Sequence, residues 1–248
     1  MTNDNAIMTS NTCDDTENKN SLALARLLQL SSATLPVGGY AFSQGMEYAI
    51  ECAWLKNAGD VQQWIKLQLM ENMARVDIPV LRGVMQAVES KEWSHFKYLN
   101  DLVLASRETK ELRLTDSAMG EALLRLLKSL DFDFPLELNC FTQGGVELED
   151  ISFVTLFAYA AAMWDIDYQA CATGFIWSWL ENQVASATKL VPLGQTQAQQ
   201  LLTILQPEIL LAINAADETT EQDIGGGLPA LAIASALHET QYSRLFRS

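Results

Sequence analysis

Two histidines, His95 and His238, and four scattered cysteines are the chain's stock of soft metal ligands. Their spacing limits the chemistry open to them. There is no H-E-x-x-H run, and Cys13, Cys52, Cys140 and Cys171 form no C-x-x-C pair. A closed transition-metal site within one chain is therefore not expected, although one shared between chains stays open. His95 reads as a solvated helix-face residue. His238, followed by Glu239, is either a ligand or proton carrier or an ordinary structural histidine. Asp165 and Asp167 lie between two apolar segments. Paired carboxylates can do acid–base work, but a helix end followed by an N-cap uses the same residues. Neither a G-x-x-x-x-G-K-[ST] loop nor a G-x-G-x-x-G turn is present, so the commonest nucleotide sites are absent. No catalytic residue and no stably bound cofactor are assigned.

Two cations remain as candidates for function. Arg107 and Glu111 stand four apart in Arg107-Glu108-Thr109-Lys110-Glu111-Leu112-Arg113. On one helix such a pair contributes about 0.2–0.5 kcal/mol. An exposed Arg107 would instead be free to enter a partner's phosphate site. Lys189 is the single base among fifteen acids in residues 129–243, whereas the rest of the chain is nearly balanced within a net charge of −15. It is either a helix C-terminal charge or the partner of a carboxylate. The acidity excludes a nucleic-acid backbone as partner.

Two further segments carry more than local structure requires. In Leu35–Ala49, Pro36 and Gly38-Gly39 supply a helix stop and a turn. Ser43 is placed to N-cap the next helix, with Glu47 in its first turn. Tyr40, Phe42, Gln44 and Gly45 exceed that need, and Tyr40, Gln44 and Glu47 read as a presented surface. The C-terminal run 239–248 keeps Tyr242, Leu245 and Phe246 beside Arg244 and Arg247, ahead of Ser248. Aromatic residues with Arg compose interface hot spots, and packing back onto the chain's own domain is the competing reading.

The elements that must position these residues are helical nearly throughout. Apolar residues recur at helical spacing over Leu22–Leu30 and Met46–Leu55. Asp60 is expected to cap the next helix through a capping box with Gln63. Pro79 is expected to break the pattern before Val80–Val88. One long helix is expected from Glu92 to about Arg113, and another from Asp116 to Leu130. Asp131–Asp150, with Pro135, Gly144-Gly145 and six acids, is a domain boundary or a long loop. Ile151–Trp164 and Tyr168–Ala187 are nearly all apolar, as in the centre of a bundle. Gln195–Ile213 and Leu228–Leu237 complete the set, and no stretch alternates with period two. The fold class is all-α: a single-domain bundle of about ten helices over 21–248, with 1–20 as a disordered acidic N-terminal tail. The fourteen apolar residues to Trp164 fall short of the about 20 of a membrane span. No export signal is legible, which points to reduced thiols in the cytoplasm.

Four segments together resemble the urease accessory protein family UreF. They are Leu35–Ala49 (L-P-V-G-G-Y-x-x-S-Q-G-x-E), Arg107–Arg113 (R-E-T-K-E-L-R), Lys189–Gln195 (K-L-V-P-L-G-Q) and Asp223–Ser248 (D-I-G…L-A-I-A-S…H-E-T-Q-Y-S-R-L-F-R-S). The resemblance implies a homodimeric cytoplasmic scaffold without enzyme activity. It implies partners UreD (UreH in some systems), the GTPase UreG and apo-urease. Nickel is then handled by the assembly and GTP by the partner. By motif position, Tyr40, Ser43, Gln44, Glu47 and Lys189 become candidates for the surface that meets UreG or controls its coupling to urease. Tyr242, Arg244, Leu245, Phe246, Arg247 and Ser248 become candidates for contact with UreD, and Arg107 joins the partner-binding set. The alternative is a GTPase-activating or checkpoint regulator of UreG. A helical enzyme using Asp165, Asp167 or His238 is the third class.

Overall fold

Apolar residues at helical spacing become helices along almost the whole described chain. A computed structural model gives the structure of residues 5–142 and 150–247, with side chains from Asn18 onward except Thr142. The helices are α1 (Asn5–Leu30), α2 (Met46–Glu51), α3 (Ala58–Gln68), α4 (Ile78–Ser90), α5 (Trp93–Ala105), α6 (Lys110–Ser129), α7 (Asn139–Thr142), α8 (Phe153–Met163), α9 (Tyr168–Leu190), α10 (Gln195–Glu218) and α11 (Pro229–His238). No strand occurs among the described residues, and the all-α expectation is borne out. Nor is any described helix long and apolar enough to cross a membrane. The segment expected to be a disordered tail is instead helical from Asn5, continuous with the apolar part of α1, and no Pro or Gly interrupts 5–30.

α8 is the centre of the bundle. Every residue from Phe153 to Ala161 is buried, packed chiefly against α4 and α6, with α5 and α9 also in contact. Close approach to α6 depends on Gly120. A Cβ there would stand 2.0 Å from the Ile151 carbonyl oxygen. Ser152 N-caps α8, and its own N–H donates to Asn100 Oδ1 at 2.9 Å.

Pro79 does not break the chain's course. It sits in the first turn of α4, after a π-helical stretch, Leu69–Asp77, that joins α3 to α4. Proline has no N–H and its ring crowds the carbonyl four residues back, so the wider turn accommodates it. The carbonyl it strands, that of Arg75, accepts the N–H of Gly225 at 3.2 Å. The cap of α3 also differs from expectation. Asn57 receives the N–H groups of Gly59 and Asp60, while Asp60 Oδ2 accepts the N–H of Lys56.

The long helix expected from Glu92 to Arg113 is two. α5 ends at Ala105, and Thr109 caps α6 by accepting the Leu112 N–H at 3.2 Å. Arg107 lies in the break. The acidic stretch after α6 is no domain boundary where it is described. Leu138 and Phe141 join the common core, and Tyr159 donates to the Asp133 carbonyl at 2.8 Å. Gly144-Gly145 lie outside the described residues. Asp167 caps α9 by accepting the Ala170 N–H, and Asp165 turns the chain at φ 56°.

Candidate functional site

The loop after α1 turns where its glycines allow. Gly38 has φ 76° and Gly45 has φ 78°. Gly45, not Ser43, is the N-cap of α2, and a Cβ on it would meet the Ser235 backbone of α11 at 3.2 Å. The glycine thus serves a left-handed turn and a close helix approach together. Ser43 is fully buried, and its hydroxyl lies 3.4 Å from the Glu47 N–H. Gln44 faces α9, where its Oε1 accepts from Trp179 Nε1 at 2.8 Å and from Gln183 Nε2 at 3.3 Å. Only Tyr40 of this candidate set is presented, at 65% exposed.

Glu47 occupies the first turn of α2, as expected, but is buried rather than presented. Its two oxygens accept the backbone N–H groups of Leu245 at 2.7 Å and Phe246 at 2.9 Å. The tail therefore folds back on its own domain. Arg247 N–H donates to the Ala41 carbonyl at 2.8 Å, and Arg244 Nη1 to Glu111 at 3.0 Å. Phe246 is buried, whereas Tyr242, Arg244, Leu245 and Arg247 remain exposed. Ser248 lies outside the described residues. Lys189, in the last turn of α9, forms no ion pair among the described residues. That position matches the helix C-terminal reading; in place of the alternative carboxylate partner, its ammonium stands over the Phe246 ring at 5.3 Å, a cation–π contact. The loop, the end of α9 and the tail thus form one continuous surface.

Beside the loop is a cavity of about 110 Å³, lined by Tyr40, Gln44, Gln183, Arg107, Asp77 and Asp116 among others. Arg107 has no helix-face partner and no exposed guanidinium. Its Nη2 reaches Asp77 at 2.6 Å and its Nε reaches Asp116 at 2.8 Å, and all three side chains are largely buried. Burial would lower the affinity of this guanidinium for its proton, but the two carboxylates more than offset that and hold it above its ordinary value. Burial pushes the Asp77 carboxyl up, and Arg107 offsets only part of the rise. Asp116 also accepts the Ser152 hydroxyl and the Phe153 N–H, each at 2.8 Å, so the cluster ties the π-helical stretch to α6 and α8.

Glu111, expected beside Arg107, belongs to a different cluster. His238, fully buried, lies between Glu111 (Nδ1, 2.8 Å) and Glu47 (Nε2, 3.2 Å). Asp165 and Asp167 stand exposed at a turn and a cap, away from His238, so the three do not form one site. His95 pairs with Glu221 at 3.2 Å and stacks on Tyr98. No group of three or more His, Cys, Asp or Glu suited to hold a metal ion occurs among the described residues. Sequence reasoning missed Asp77, Asp116, Trp179 and Gln183. The available signal was the uncommon placing of polar residues within apolar helical stripes.

Comparison with known proteins extends this picture to the chain as a whole. The UreF family model matches residues 55–206. A urease accessory protein UreF of Marinomonas sp. is 59% identical over 227 residues, covering 92% of this chain and 95% of the relative. The UreF of Alkalilimnicola ehrlichii is 43% identical over 235 residues, covering 94% and 99%. That of Psychrobacter cryohalolentis is 41% identical, covering 95% and 99%.

Proposed function

This chain belongs to the UreF family of urease accessory proteins, and from that premise we propose that it is a scaffold that joins UreD (or UreH) and the GTPase UreG for nickel insertion into apo-urease. The observation that carries the reading is the merging of loop, α9 end and tail into one surface. Tyr40, Lys189, Tyr242, Arg244, Leu245 and Arg247 are exposed there, around a buried Phe246. Aromatic and Arg side chains on a preorganised frame suit a partner interface, because little side-chain entropy is lost on docking. Ser43, Gln44 and Glu47 then support the surface from below rather than touch the partner.

In this reading nickel is cargo and GTP belongs to UreG, so the chain holds no cofactor of its own. It works as a homodimer in the cytoplasm and performs no catalysis. The test is to mix the purified chain with UreD and UreG and measure the masses of the complexes. Deleting Tyr242–Ser248 is expected to abolish the UreD complex, and full-strength binding by the shortened protein overturns the tail assignment. A direct GTPase-activating role has less support, since Arg107 is engaged by Asp77 and Asp116. Faster GTP turnover by UreG on addition of this chain by itself would favour that alternative.

A further inference from the structure

The scaffold role leaves His238 without a task. Its ring is fully buried at the end of α11, and both of its nitrogens face carboxylate oxygens: Glu111 Oε2 at 2.8 Å and Glu47 Oε2 at 3.2 Å. A neutral imidazole has one N–H and one lone pair. Only the doubly protonated ring can donate to both carboxylates. Glu47 also holds the Leu245 and Phe246 N–H groups, and Glu111 also holds Arg244. With the ring doubly protonated, two carboxylates meet one imidazolium and one guanidinium, an arrangement without net charge.

Among the described residues, the surrounding elements add no second base to replace the ring. From α9, Lys189 is committed to the Phe246 face. From α2, the outer Glu51 accepts from Gln241. Where α11 meets the start of α6, the hydroxyls of Thr109 and Ser235 bond each other at 2.7 Å.

We propose that His238 is a protonation-dependent latch on the C-terminal segment. The imidazolium seats Leu245 and Phe246 through Glu47, and loss of its proton releases them. Deprotonation sets a lone pair against one carboxylate and leaves a net negative charge buried, a costly arrangement. Glu47 relieves it by turning toward water, which strips the two tail N–H groups of their acceptor. The segment is seated while the ring carries both protons and is freed when it loses one. The latch is a property of the chain by itself and stands whichever partner the tail meets.

The experiment uses the full-length protein with ¹³C-labelled histidine. There are two histidine signals to assign, and a His95→Gln variant identifies the other. Ring state and amide exchange at Leu245 and Phe246 are followed from about pH 6 to about pH 9, with exchange expressed as protection over the intrinsic rate. The expected result is an imidazolium at the low end, with tail protection falling about tenfold or more along the same titration. His238→Gln is expected to give low, pH-independent protection. Glu47→Gln, which keeps the size but not the charge, is expected to lose protection already at the low end. A neutral ring at the low end, or deprotonation without a fall in protection, overturns the latch. Wild-type protection in Glu47→Gln overturns it as well. Should His238→Gln fail to fold, the wild-type titration and Glu47→Gln decide.

Discussion

Replacing Arg107 by Met separates a structural arginine from one held ready for a partner. The side-chain stem keeps its packing while the charge is lost. Asp77 and Asp116, whose side chains are 3% and 7% exposed, are then buried carboxylates without their cation. Removing one partner of a buried ion pair costs about 3–5 kcal/mol. Unfolding entropy is about 2.1 cal/mol/K per residue, or about 0.5 kcal/mol/K for this chain, so Tm is expected to fall by about 6–10 °C at neutral pH. Asp77 supplies an internal check. Its folded-state value is raised above the ordinary 3.8 by burial. A carboxyl raised in the folded state binds its proton more tightly there, so its contribution to stability is greatest at low pH and is lost as pH rises through the folded value. Without Arg107 the rise is larger. The gap in Tm between variant and wild type is therefore expected to narrow on acidification toward the carboxylate range. Circular dichroism melts of both proteins at neutral and mildly acidic pH measure this. A variant that melts within about 1 °C of wild type at neutral pH refutes the buried triad and returns Arg107 to the surface.

Gly120→Ala forces a Cβ onto the Ile151 carbonyl oxygen. It is expected to cost at least about 2 kcal/mol in urea unfolding, because backbone on the facing element cannot move aside cheaply. Lys189→Ala removes an exposed cation–π contact and is expected to cost no more than about 1 kcal/mol in thermal melts. The same variant is expected to lower or deregulate urease activation in a reconstituted assay, and loss of soluble protein would instead mark Lys189 as structural. Asp167→Ala is expected to lose about 1 kcal/mol as an N-cap, measured by urea unfolding. If the Asp165, Asp167 and His238 substitutions together left urease activation intact, the enzyme reading would be excluded.

Much of the fold is legible in the sequence because it depends on local pattern. Helical spacing of apolar residues locates most of the helices, and the nearly continuous apolar run at Ile151–Trp164 marks the centre of the bundle. Membership in a family is likewise written in short motifs. What failed was local in a different sense. Pro79 reads as a break, yet a π-helical stretch absorbs it, since Gly225, almost 150 residues on, supplies the donor its neighbourhood lacks. Glu92–Arg113 reads as one helix because neither Pro nor Gly punctuates it, although 106–111 carries no apolar residue and the chain breaks there.

The opening loop and the tail show the division most clearly. Their residue types announce that they exceed what a turn or a chain end needs, and nothing in their spacing says which way each side chain faces. Glu47, Ser43 and Gln44 point inward because α11 and α9 arrive there from the far end of the chain. Arg107 and Glu111 share a motif, yet the fold assigns them to separate buried clusters around Asp77 and His238. Helix propensity and apolar period are properties of neighbours in sequence, so the sequence by itself determines the elements and their buried faces. Pairing a buried charge depends on partners that are distant in sequence and brought within about 3 Å, and that only the tertiary structure decides.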